Sequence, residues 1–199
     1  MGHSVFLGAL TAGAFESETS PACIVDRAGA IVAVNGAWNR FALANGGMGH
    51  VLGPAIEGTA YLSHIEGEEV RRFYRALLET AMDATTAVVQ QSECNTTTLR
   101  RIVSTRFEPL RSAGGPSRGL LVVSDVVAQG PLEDGLAEPP TSDALVDHAG
   151  VIHQCTCCRR AQRPDGPEWV VAPALIAHVD PRASHDVCPV CLDLYYGLP

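Results

Sequence analysis

Residues 20–47 read SPACIVDRAGAIVAVNGAWNRFALANGG, and the fold depends on how this run is parsed. ACIVD and AIVAVN are two short apolar segments joined by Arg27-Ala28-Gly29, and only glycine takes a positive φ in such a turn without cost. The expectation is a tight hairpin. GAWNRFALANGG then sets Trp38 and Phe41 at helical spacing ahead of a Gly-Gly stop, so a short helix follows the hairpin.

Outward from this run the periods change in order. Upstream, Phe6 to Glu16 reads as a short helix within an amino-terminal extension, residues 1–20. Downstream, Gly46 to about Ala60 reads as a glycine-rich loop. Val70, Phe73, Tyr74, Leu77, Leu78 and Ala81 then repeat at i, i+3, i+4, i+7 and i+8, with Glu68 and Glu69 in the first turn, which predicts an amphipathic helix. Three strand-like runs close the segment: TTAVVQQSECN, TLRRIVSTRFEPL and GLLVVSDVVA. Two strands, helices and three strands imply an α+β fold, an antiparallel sheet with helices packed on one face.

From Gln129 to Asp147 the chain carries five acidic residues, three prolines and no arginine, and reads as a solvated linker. Residues 148–199 form a separate small module. Within it, Cys155-x-x-Cys158 and Cys188-x-x-Cys191 are two knuckles separated by 29 residues. A two-residue gap lets both thiolates of a knuckle meet one tetrahedral ion at about 2.3 Å, and two knuckles complete a closed four-sulfur site. Zinc bound there would be structural, since a module this short buries little core and four thiolates leave no open coordination position. Cys157, inside the first knuckle, is a possible substitute ligand or a free thiol, whereas His153, His178 and His185 read as outer or surface groups. A thiol-based redox protein using the Cys-x-x-Cys pairs is the competing reading, although one pair would suffice for that chemistry.

Residues 21–128 resemble a PAS domain, most clearly at Asp26-x-x-Gly29, at Asn35-x-x-Trp38 and in the last strand ending near Asp125. The resemblance implies a five-stranded sheet that cups a pocket with its helices, binds a small ligand or cofactor and passes a signal to an attached module. Asn35, Trp38, Phe41, Tyr61, His64 and Phe73 are the candidate pocket residues, and core packing is the competing reading for the aromatic ones. Flavin is not expected, because the Asn-Cys-Arg-type helix motif of covalent flavin binders is absent and Cys23 and Cys94 fall in strand-like runs. Haem is the alternative cofactor: the family's usual histidine position in the long helix is occupied here by Val70, Arg71 and Arg72, but His64 lies a few residues earlier. The span from His153 to Tyr195 is similar to a cysteine-rich tail found after PAS or receiver domains in bacterial signalling proteins. It departs from that pattern at Asp165-Gly-Pro-Glu-Trp169, which holds one additional residue before the tryptophan.

Charge and composition limit the partners. The chain of 199 residues is 46% hydrophobic, contains no lysine and has a formal net charge of -8, so neither nucleic acid nor an anionic membrane surface is an expected partner. The opening apolar run is short and lacks a basic flank, and cytoplasmic localisation is the expectation. No nucleophile elbow, phosphate-cradling loop or zinc-protease helix occurs, so no enzymatic activity is expected. A small-molecule ligand of unknown identity and a protein partner or self-association remain.

Overall fold

The computed structural model describes residues 12–111, 115–132, 140–178 and 180–196. The chain divides into two compact units: the first comprises residues 1–65, 71–90 and 104–125, the second residues 66–70, 91–103 and 126–199. Strands β1 (Ala22–Asp26), β2 (Ile31–Val34), β3 (Val88–Glu93), β4 (Leu99–Arg111) and β5 (Ser117–Pro131) form one sheet in the order β2-β1-β5-β4-β3. Helices α2 (Gly36–Ala44), α3 (Gly53–Ile56) and α4 (Glu68–Asp83) lie in sequence between β2 and β3. This is the expected α+β architecture, a five-stranded sheet with helices inserted between its second and third strands.

The first hairpin forms because its turn is satisfied locally. Asp26 Oδ1 accepts the amides of Ala28 and Ala30, both at 2.9 Å, and Gly29 takes φ +84°. β1 is an interior strand, antiparallel to β2 on one side and to β5 on the other. Its side chains therefore alternate between two buried layers. Cys23 and Val25 join Leu120, Val122, Phe107, Ile56, Leu78 and Ala81, with Trp38, Tyr61 and Tyr74 packed against them. Ala22 and Ile24 join Leu121, Val123, Leu110 and Phe15. Phe15 belongs to α1 (Ala12–Ser17), so the amino-terminal helix covers the face opposite to α2, α3 and α4.

Two stretches differ from their sequence reading. The glycine-rich loop holds a 3-10 turn at Gly49–Val51 and the single helical turn α3, and another 3-10 turn, Tyr61–His64, follows it. In the acidic stretch 129–147, residues up to Pro131 continue β5, and Ser142–Leu145 form a 3-10 turn. Leu145 is buried in the core of the second unit, and Asp147 Oδ1 accepts the amides of Ala149 and Val151, so this end of the stretch is packed rather than solvated. The part of the expected amino-terminal helix before Ala12 lies outside the described residues.

The carboxy-terminal module contributes β6 (Ala161–Gln162), β7 (Trp169–Val170), α5 (Pro173–Ala177) and α6 (Pro189–Tyr196). Its apolar centre is small: Leu145, Ile152, Ala161, Val170, Ala172 and Leu175. β6 and β7 pair antiparallel around an exposed turn that includes Pro164 and Asp165. No helix among the described residues is long and apolar enough to cross a membrane.

Candidate metal centre

A short parallel pairing brings the two knuckles together. Ile152 bridges to Ala183 and Cys155 to Asp186, with backbone bonds from Ile152 N to Arg182 O (3.0 Å), Asp186 N to Gln154 O (3.0 Å) and Thr156 N to Asp186 O (2.8 Å). Segment 182–186 is thereby laid beside 152–156, and the cysteines that follow it arrive opposite the first pair. The first knuckle closes on itself through Cys155 N to Arg160 O (2.7 Å) and Arg159 N to Cys155 O (3.0 Å). That turn needs a left-handed residue after its second cysteine, and Arg159 supplies it at φ +65°. The second knuckle opens a helix. Pro189, which has no amide to satisfy, starts α6, and Leu192 N donates to Cys188 O at 2.8 Å.

The Sγ atoms of Cys155, Cys158, Cys188 and Cys191 all lie within 4.8 Å of one another, and all four residues are fully buried. Cys158 and Cys188 sulfurs stand 3.5 Å apart. Tetrahedral thiolates at about 2.3 Å from one ion are separated by about 3.8 Å, so the donor set fits such a metal in both spacing and chemistry. Cys157 is half-buried and packs against the cluster with Trp169, Val187 and Tyr195, but it is not one of the four gathered sulfurs. The neighbouring Cys155 sulfur pushes the Cys157 thiol up to about 12, whereas hydrogen bonds from its neighbours pull the Cys155 thiol far down.

A polar shell that sequence reasoning missed surrounds this cluster within the second unit. Glu93 has no exposed side-chain surface; it accepts from Asn95 Nδ2 (2.9 Å) and Arg100 Nε (3.2 Å) and forms an ion pair with Arg160, whose Nη1 stands 3.0 Å from Oε1. Burial raises the Glu93 pKa, but the bonds from Asn95 and Arg160 outweigh it and hold the carboxyl below its ordinary value. Asn95 also donates to Cys158 O at 3.0 Å. Thr156 Oγ1 donates to Glu66 O (3.0 Å), and Arg159 Nη2 pairs with Glu66 Oε2 (2.8 Å). Buried Gln154 donates to Arg159 O and Leu175 O. The pairings of Glu93 with Arg160, Asn95 with Cys158, and Glu66 with Thr156 and Arg159 join residues far apart in sequence and carry no periodic signature, so the chain alone offers no signal for them.

The histidines stand outside the cluster. His153 Nδ1 lies 2.8 Å from Asp186 Oδ2 and its Nε2 lies 3.2 Å from Asp147 Oδ2. The bond to Asp186 is the main cause of its raised pKa, working against burial, with Asp147 adding to it. His178 and His185 are exposed.

Of the candidate pocket residues in the first unit, Trp38 and Tyr61 pack together against the main core cluster. Trp38 Nε1 donates to Val51 O (2.9 Å), and burial, with Cys23 and Tyr74 nearby, pushes the Tyr61 phenol well up. Burial likewise pushes the Cys23 thiol up to about 12. Asn35 is buried with its amide committed to backbone: Oδ1 accepts from Ala22 N and Trp38 N, and Nδ2 donates to Glu18 O and Ser20 O. It caps α2 and leaves no capacity for a ligand. Phe41 is 37% exposed, Phe73 is half-buried with its ring edge-on to Tyr74, and His64 is exposed with Nε2 2.7 Å from Thr59 Oγ1. Cys94 lies one residue beyond β3, and Cys23 lies in β1 as expected.

No family model and no curated protein matches this chain. Among solved structures it is similar to the PAS domain of BvgS from Bordetella pertussis, at 14% identity over 57% of this chain and 81% of that one, with a TM-score of 0.45. A PAS domain from Colwellia psychrerythraea is similar at 11% identity over 58% of this chain and 92% of that one, with a TM-score of 0.44.

Proposed function

We propose that this chain is a sensory or regulatory protein whose PAS-like region binds a small ligand or cofactor and relays its state through protein–protein contacts. The carboxy-terminal module is held by one structural zinc ion on Cys155, Cys158, Cys188 and Cys191. The observation that carries the zinc assignment is the gathering of four wholly buried thiols, two from a β-knuckle and two from a helix start, within 4.8 Å. A hydrophobic centre as small as that of the second unit gains from such an ion. When bound, the metal supplies cross-linking and not catalysis, because four thiolates leave no position for water. Arg160 and Asn95 hold the knuckle's thiolate and carbonyl, and Pro189 and the α6 amides position the second pair. The signalling role rests on the PAS-like architecture and on the absence of a recognised catalytic motif from the sequence. We place the protein in the cytoplasm, without enzymatic activity, and acting on a protein partner or a second copy of itself.

Metal analysis joined to an ultraviolet-visible spectrum of protein purified without added cofactor tests this reading. One zinc per chain and no visible band is the expected result. A metal-free chain that keeps its fold overturns the zinc assignment, and a Soret band replaces the uncommitted ligand by haem.

A further inference from the structure

Beside the cysteine cluster, the second unit contains a cleft of about 430 Å³ lined by Arg100, Arg160, Glu168, Trp169, Val170, Cys188, Pro189 and Val190. Sites for small ligands have volumes of about 300–1,000 Å³ and combine an apolar wall with a few fixed polar groups. Trp169, Val170, Pro189 and Val190 supply the wall here, and Val190 is 46% exposed. Two guanidinium groups supply the polar end, and they are not equivalent. Arg160 is buried and spends its donors on Glu93 and on the Cys158 sulfur. Arg100 is half-exposed and uses one edge of its fork, Nε and Nη2 at 3.2 and 3.3 Å, on Glu93. A guanidinium has a second edge of the same donor geometry, which matches a carboxylate. Glu93 already accepts from Asn95 and Arg100 and pairs with Arg160, so it does not compete for that edge. Glu168 is held by Arg163 Nε at 3.0 Å and so is partly neutralised.

We propose that this cleft is a binding site for a small apolar or aromatic carboxylic acid. The carboxylate docks on the outer edge of Arg100, and the apolar body lies against Trp169, Pro189 and Val190. The site is separate from the pocket expected in the PAS-like region, and it rests on the zinc reading only in requiring that the module be folded.

The test uses the full chain with its zinc content measured, titrated calorimetrically with N-acetyl-phenylalanine and with the uncharged N-acetyl-phenylalanine amide. Saturable binding of the acid, weakened about tenfold in the amide and by a similar factor in Arg100→Gln, is the expected result. Because loss of Arg100 also removes a partner of buried Glu93, Val190→Asp is the second variant. It places a carboxylate at the exposed cleft wall and weakens the acid by repulsion while zinc content and melting temperature stay unchanged. Equal binding of acid and amide, unchanged binding in both variants, or no saturable binding at millimolar concentration overturns the proposal. Binding of an acidic peptide where the free acid fails overturns it as well. A zinc-deficient chain would instead count against the reading of the cysteines, so the two failures are distinguishable.

Discussion

The two units of this chain solve the same stability problem with different materials. The first buries alternating side chains of an interior strand on both faces, and Phe107, Leu120 and Val25 are wholly removed from water. The second has a much smaller apolar cluster and adds to it four sulfurs, a buried carboxylate and two arginines. Apolar burial is spread over many contacts and tolerates the loss of any one. A metal knot concentrates its contribution at one point, so it fails all at once.

The sharpest way to break this contrast is to remove the proposed zinc. Chelation, or Cys158→Ser, is expected to unfold the second unit and leave the first folded, at a cost on the order of 10 kcal/mol in metal-linked stability. Hydrogen exchange resolved by segment would show protection lost across 152–196 and kept across β1 and β2. Loss of protection throughout would mean that the units are not independent.

The converse substitution is Phe107→Ala, which opens a cavity in the first unit and should cost about 3–5 kcal/mol by denaturant unfolding. Zinc stoichiometry should not change. Glu93→Gln comes next, at about 2–3 kcal/mol, because it weakens charge-assisted bonds to two arginines. The wild-type protein has a matching acid sensitivity. The Glu93 pKa is depressed in the folded state, so its contribution is complete above the ordinary carboxylate value of 4.5 and is lost as pH falls through the lower folded value. The melting temperature of the second unit should fall in that window in the wild type and show a weaker dependence in Glu93→Gln.

The smallest effect, and the one of opposite sign, is Arg159→Gly. An L-residue at φ +65° costs about 1–2 kcal/mol, partly offset here by the exposed pair with Glu66. Net stabilisation of under about 1 kcal/mol is expected, read as a small rise in melting temperature.

How far each region is legible in the sequence follows from the same contrast. The apolar run Ala22–Asp26 is legible because a turn bounds it, and the stripe Val70 to Ala81 because it is periodic, and both signals lie in the order of residues alone. The knuckles are legible because ligand spacing is a local constraint. The 3-10 turns at Gly49–Val51 and Ser142–Leu145 are too short to show a period, and their glycine- or acid-rich surroundings mask them. Asn35 reads as a pocket residue in the sequence, whereas its buried amide ties four backbone groups together. Nothing in the strand-like run containing Glu93 distinguishes a carboxylate facing solvent from one committed to Arg160, which is far away along the chain.

The parallel pairing of 152–156 with 182–186 has a consequence for how such a module can vary. It closes a loop whose entropic cost grows only logarithmically with length, by about 0.6 kcal/mol for each doubling. The exposed turn between β6 and β7 is the natural place to lengthen that loop. Spacing within each knuckle is fixed by the reach of two thiolates to one ion, whereas spacing between the knuckles is nearly free to drift.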